Sequence, residues 1–254
     1  MHTLTQVWVF FIALTFSFLF LGFQLMGRIG LFVAFLISLI IVYATLHRGL
    51  KLFKKKLAAK LFCGNDPSGF LSTIENNKAQ FGFKKIGVYQ TAHNTPPLIW
   101  KSKPGEAHLV LNSNLLNNLN AEEIRLLALF LLSHLENRSF LVTPVLSVIN
   151  QSFYNFNIFS LVLSSVVVLI FGLQKQILKS DAKFKRVSKT SNQVSAYELS
   201  FFINKLHNFE FNQNKIRIGT EYFSVLSFKK NNFFNQYGIP NLNLRLKTII
   251  GYTI

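Results

Sequence analysis

The residues of this chain best placed to do chemistry lie in LLALFLLSHLENRS, positions 126–139. The pattern H-E-x-x-H puts two histidines at i and i+4 on one helix face, where they bind zinc, with the glutamate beside the first acting as general base. In those five places this stretch has Phe130, Leu131, Leu132, Ser133 and His134. A phenyl ring has no lone pair for a metal, and a leucine cannot take a proton from metal-bound water. His134 alone is a weak site, because catalytic zinc is held by about three protein ligands. On an apolar helix face it is expected to be a core histidine, hydrogen-bonded to backbone or to a hydroxyl.

The acids lead to the same place. There are ten: Asp66, Glu75, Glu106, Glu122, Glu123, Glu136, Asp181, Glu198, Glu210 and Glu221. None directly follows a histidine that has a second histidine four residues further on, so H-E-x-x-H occurs nowhere in the chain. His93 in the turn AHNTPP, His108 and His207, with these acids, are the candidates for a rewired metal site, and their spacing predicts none. The lone Cys63 excludes an internal disulfide and points to no redox pair.

The elements that must position these residues begin with two apolar runs. VWVFFIALTFSFLFLGFQLM (7–26) is about as long as a hydrocarbon layer is thick, at roughly 1.5 Å per helical residue. IGLFVAFLISLIIVYATL (29–46) follows after Gly27 and Arg28, so the two are expected to form a helical hairpin. A cleaved signal peptide is the rival reading. The leader MHTLTQ has no Lys or Arg, the apolar core is too long and no A-x-A site follows, so the hairpin is preferred. Of the 27 Lys and Arg residues, all but Arg28 come after residue 46, starting with HRGLKLFKKKLAAK (47–60). By the positive-inside tendency this collar and the N-terminus are cytoplasmic. The net charge of +17 is thereby read as a collar facing the anionic headgroups of a lipid bilayer. No helix-turn-helix, RNP or zinc-finger pattern supports nucleic acid as a partner.

Further on, PSGFLSTIENNKAQFG (67–82) has helical spacing through Leu71, Ile74 and Phe81. Strand-like pieces follow at 86–91, 97–102 and 107–112, separated by HNTPP and KPGE. A long helix over 120–138 opens with Asn120 and Glu123, a capping box with Asn in the Ser/Thr place. The apolar stretches 140–154 and 158–173 are read as a second membrane hairpin over 139–173. Its first arm is short and carries Asn150 and Gln151, so a re-entrant course is an alternative. Lys175, Lys179, Lys183, Lys185, Arg186 and Lys189 come next, which puts this flank in the cytoplasm too. The remainder is polar and basic, with helical spacing at Leu199, Phe202, Leu206 and Phe209. Its aromatic-rich tail fits either core or membrane surface.

This order of parts resembles the HtpX-like integral-membrane zinc metallopeptidases, relatives of the CAAX prenyl proteases. The matching pieces are GFKKIGVYQTAHNTPPLIW (82–100), AHLVLNSNLLNNLNAEEIRLLALFLLSHLENRS (107–139) and IPNLNLRLKTI (239–249), the last matching an HP…R element. Most of the chain is covered, and 107–139 is the most specific part. The resemblance implies an α+β membrane protein, mostly helical, with two transmembrane hairpins and a small sheet beside a degenerate zinc-peptidase helix. Its parts are an N-terminal hairpin (1–50), a cytoplasmic peptidase-like subdomain (51–138), a second hairpin (139–173) and a basic C-terminal part (174–254).

The resemblance also implies roles. Phe130 stands where the first ligand belongs, Leu131 where the base belongs, and His134 is the surviving second ligand. The third ligand lies four residues before an Asp; with Asp181 as that Asp, the position holds Ile177. No cofactor is expected, and zinc only if the site is rewired. The strand Ala107, His108, Leu109, Val110 and Leu111 is expected to be the sheet edge beside the cleft, where an extended peptide can add without a metal. Arg125, Glu136 and Arg138 are read as solvated helix charges. The sequence thus points to an inactive peptidase homologue that binds a protein or peptide partner. Its alternatives are an active peptidase with a non-standard metal site and an unrelated membrane scaffold. High Asn, Lys, Ile and Phe content suggests an AT-rich, most simply bacterial, genome and an inner-membrane setting.

Overall fold

The structure is a computed structural model that describes residues 2–47, 57–62, 66, 68–137, 173–192, 194–209, 224, 226 and 240–250. Within the first segment it describes the side chains of 12, 15–40 and 43. The second apolar region, 139–173, lies outside the described residues except for its last position.

Helix α1 (His2–His47) is two helices merged across a break at Met26 and Gly27. Gly27 has φ 60° and ψ −136°, a conformation open to glycine and strained for other residues. In an unbroken helix Gly22 and Gly30 would be about 12 Å apart. Here a methyl group on either would collide with the other's carbonyl oxygen, and one on Gly22 would also lie 2.7 Å from the Ala34 Cβ. The arms therefore fold back on each other and touch through glycines. Thr15–Ile40 is long and apolar enough to cross a membrane, and it is the one such stretch among the described residues. A core helix would bury these side chains, but Phe16, Phe20, Phe23, Ile29 and Phe32 all face outward. The described residues thus hold one apolar helix, broken at Met26 and Gly27 and folded back on itself, and they do not show two spanning hairpins, since 139–172 lies outside them.

The rest is mostly helical with one small mixed sheet. Its strands are β1 (Lys60–Leu61), β2 (Lys85–Thr91), β3 (Leu98–Lys103) and β4 (Glu106–Asn112). Its helices are α2 (Phe70–Asn77), α3 (Ser113–Asn117), α4 (Ala121–Asn137), α5 (Leu173–Asn192), α6 (Ala196–Asn208) and α7 (Leu242–Ile250). A 3-10 turn over Lys78–Phe81 continues α2. Helix α2 is tied down at its start by Asp66, whose carboxylate accepts from the backbone N–H groups of Phe70, Leu71 and Ser72.

The sheet order is β1-β2-β4-β3. β4 pairs in parallel with β2, in the register Lys85↔Glu106 to Thr91↔Asn112, and antiparallel with β3. This corrects the expectation for Ala107, His108, Leu109, Val110 and Leu111. The strand they form has a neighbour on each side, so its ladder positions are already used. The edge strands are β1 and β3.

Strand side chains alternate between two faces. Ile86, Val88, Ile99, Ala107, Leu109 and Leu111 join one continuous core with Ile124, Leu127, Leu131 and Leu135 of α4. On the opposite face Leu98, Trp100 and Val110 pack with Leu57. Helix α4 therefore lies over one face of the sheet. Its C-terminal end is pinned there by Lys101, whose Nζ donates to the Glu136 carbonyl oxygen at 2.6 Å. Partial burial pulls the Lys101 ammonium below its usual pKa, against an upward pull from Glu136.

Candidate functional site

Helix α4 begins as its sequence predicts. Glu123 N–H donates to Asn120 Oδ1 at 2.8 Å, and Asn120 N–H donates back to Glu123 Oε2 at 2.9 Å. This reciprocal cap satisfies two of the donors that a helix start leaves over. The same glutamate also takes Lys205 Nζ from α6, at 2.6 and 2.8 Å, which ties the starts and ends of two helices together. From Leu126 to Leu135 every α4 side chain is buried, so the helix is covered on all sides.

Helix α5 runs antiparallel to α4. Phe130 meets Phe184 with ring centroids 5.4 Å apart, His134 meets Asp181, and Asn137 meets Ser180. As numbers rise along α4 they fall along α5. Asp181 therefore faces His134, and Ile177, although buried, comes a turn later, beyond Ser180 and away from Phe130. The α5 residue opposite His134 is thus Asp181, and Ile177, where the resemblance places a third ligand, lies four residues earlier on the same helix.

The third member comes from α7. Leu244 N–H donates to Asn241 Oδ1 at 2.9 Å, capping the helix start just after Pro240. One turn in, Arg245 projects into the core. Its Nε donates to Asp181 Oδ2 and its Nη2 to Asp181 Oδ1, both at 2.8 Å. His134 Nε2 lies 2.9 Å from Asp181 Oδ1 and 3.4 Å from Arg245 Nη2. His134, Asp181 and Arg245 are each 2 % exposed or less.

The protonation pattern follows from the acceptor. Burial alone would raise the Asp181 carboxyl pKa, but the Arg245 charge, its hydrogen bonds and the His134 contact hold it below the usual carboxylate value. An ionised carboxylate can only accept, so His134 donates through Nε2–H. Aromatic rings close the cluster. Phe130 lies 4.4 Å from the His134 ring and 5.4 Å from the Arg245 guanidinium carbon, with Phe184 and Phe202 edge-on behind it.

Zinc does not fit these residues. Phe130 and Leu131 supply no donor, Asp181 is held by the Arg245 guanidinium, and His134 is bonded through Nε2 to Asp181. Among the described residues, no group of three or more His, Cys, Asp or Glu side chains could hold a metal ion. The other histidines are elsewhere. His108 is on the sheet face away from α4, between Tyr89 and Trp100, with Nε2 3.2 Å from Ser102 Oγ. His93 lies in the turn after β2, and His207 is half-buried on α6. Burial and then the nearby Arg245 charge lower the His207 pKa.

Of the helix charges read as solvated, Glu136 instead pairs with Lys183, Arg125 borders a groove of about 510 Å³, and Arg138 lies outside the described residues. That groove runs between the starts of α4 and α6, beside Glu122, Tyr197 and Phe201.

Arg245 is the residue to which sequence reasoning gave no role, although it is the arginine of IPNLNLRLKTI, the segment matched to an HP…R element. The available signal was its place in LNLRLKTII, where it shares a helix face with Leu242 and Ile249. A cation at a buried helical position calls for a buried anion. Asp181 is the acid that answers, and no local pattern links two residues so far apart. No family model, no curated protein and no solved structure matches this chain.

Proposed function

We propose that this chain is a catalytically inactive homologue of the integral-membrane zinc metallopeptidases, acting as a binding or regulatory subunit at the inner membrane. One observation carries the reading. On the helix where two histidines and a glutamate would hold and use zinc, the one remaining histidine is bound to a carboxylate, and a guanidinium sits against both. A fixed organic cation lies against the donors that a metal would otherwise use. The packing of α4 over the face formed by Ile86, Val88, Ile99 and Leu109 also supports the reading, because an unrelated scaffold gives no reason for it.

Two hairpins, a cytoplasmic collar and a lipid-embedded α1 belong to the same proposal. The outward-facing phenylalanines of α1 support it, since a contiguous apolar surface of this extent is unusual in water. Arg28, at the break between the arms, fits a turn at the far headgroup layer.

The test is elemental analysis of detergent-purified protein together with a peptidase assay on unfolded substrates. The reading expects no stoichiometric zinc and no chelator-sensitive cleavage. About one zinc per chain would instead restore the enzyme hypothesis.

A further inference from the structure

We propose that the exposed face of α5 is a binding surface for anionic phospholipid headgroups, separate from the collar at 47–60. Lys175, Lys179, Ala182, Arg186 and Lys189 are all exposed, and their spacing of four, three, four and three residues puts them on one side of the helix. The row from Lys175 to Lys189 is about 21 Å long at 1.5 Å per residue. The opposite side is fixed against the protein by Ile177, Phe184 and Val187. Asp181, the only acid in α5, is turned inward and held by Arg245, so no carboxylate of this helix interrupts the row. Lys183 lies off the row and pairs with Glu136.

A straight line of cations on a helix whose other face is anchored fits a planar array of phosphates. It suits a single bound anion poorly, because the charges do not converge. Single-stranded nucleic acid is the less favoured polyanion, because the row holds no aromatic side chain on which bases could stack. The helix also directly follows the apolar sequence 158–173. The inference rests on the membrane reading above, and the two are separable by experiment.

Ala182 sits in the middle of the row and can carry a probe without removing a charge. With Cys63→Ser as background, Ala182→Cys in the full chain is labelled with a fluorophore. The protein is reconstituted into vesicles of phosphatidylcholine, alone or mixed with phosphatidylglycerol, each doped with a headgroup nitroxide quencher. Asn76→Cys, on the exposed side of α2, serves as a second label site.

Flotation in both vesicle types, with quenching at 182 only in the anionic ones, supports the proposal. So does loss of that quenching at high salt, where the screening length drops to about 3 Å at 1 M, and in Lys175→Glu/Lys179→Glu/Lys189→Glu. Flotation with equal quenching in both vesicle types, or none in either, overturns the proposal and leaves the membrane reading intact. Failure to float with either overturns both. Protection of the 182 label by single-stranded RNA, with no response to lipid charge, overturns the proposal by assigning the row to nucleic acid.

Discussion

Arg245 grips Asp181 with two nitrogens, Nε on one carboxylate oxygen and Nη2 on the other, each at 2.8 Å and both side chains out of water. A bidentate fork of this kind joins α7 to α5, and His134 adds α4 to the same oxygen that Nη2 uses. Desolvating two charges costs several kcal/mol, so such a pair adds little net stability over well-packed apolar side chains. Breaking it is another matter, because the remaining charge stays buried.

Arg245→Ala is therefore expected to destabilise the fold by about 3–5 kcal/mol. The combined variant His134→Leu/Asp181→Leu/Arg245→Met should recover most of that loss. Urea denaturation in detergent, followed by the fluorescence of the buried Trp100, measures both. Equal loss in the single and combined variants would mean that the cluster contributes by shape and not by charge.

Acid should weaken the protein in two steps. His207 has a depressed pKa in the fold, so the unfolded chain takes up its proton first and stability falls as pH drops below about 6.5. Asp181 is also depressed, so its contribution is complete above about pH 4 and is lost as pH falls from there through the folded value. His207→Gln should remove the upper step and leave the lower one. Denaturation midpoints across pH 3–8 would reveal the steps.

The guanidinium and a metal compete for the Asp181 carboxylate. Phe130→His alone should not bind zinc, because Arg245 still holds Asp181 and sets a positive charge beside the site. Phe130→His with Arg245→Ala leaves two histidines and a carboxylate together, about the three ligands that zinc needs. Zinc uptake by the double variant and not by the single one, read by elemental analysis, is the expected result.

The fold-back of α1 depends on the absence of a side chain at Gly22 and Gly30. Gly22→Leu should force the arms apart, since even a methyl there meets the Gly30 carbonyl and Ala34. Ser38 is only 4 % exposed, so a cysteine at that position, with Cys63→Ser, should react slowly with N-ethylmaleimide. Faster labelling on adding Gly22→Leu is the predicted change. An unchanged rate would show that the arms do not pack there.

Much of the local structure was legible because local rules decide it. The three long strands begin and end within about a residue of the alternating segments, and α4 starts at the predicted capping box. The helix over 195–209 also appears, opened by Ser195 and Glu198, which cap each other in the same reciprocal way. What was not legible is set by partners distant in the chain. Pairing of β2 with β4 in parallel puts β4 inside the sheet, and nothing in AHLVLN encodes that neighbour. That Asp181 faces His134 depends on α5 running antiparallel to α4, which no local pattern encodes. His134 itself was expected to bond to backbone or hydroxyl, and it bonds to a carboxylate because a helix from another part of the chain delivers one.

Arg245 and His134 are 111 positions apart in sequence. During synthesis α4 and α5 emerge first, carrying an aspartate that has no cation to meet it. Until α7 has been made, closing the core around Asp181 would strand a charge, and the carboxyl must stay wet or take up a proton. The helix that completes the cluster thus works as a final checkpoint on the chain: a protein stopped before residue 245 has most of its apolar core and no means of sealing it.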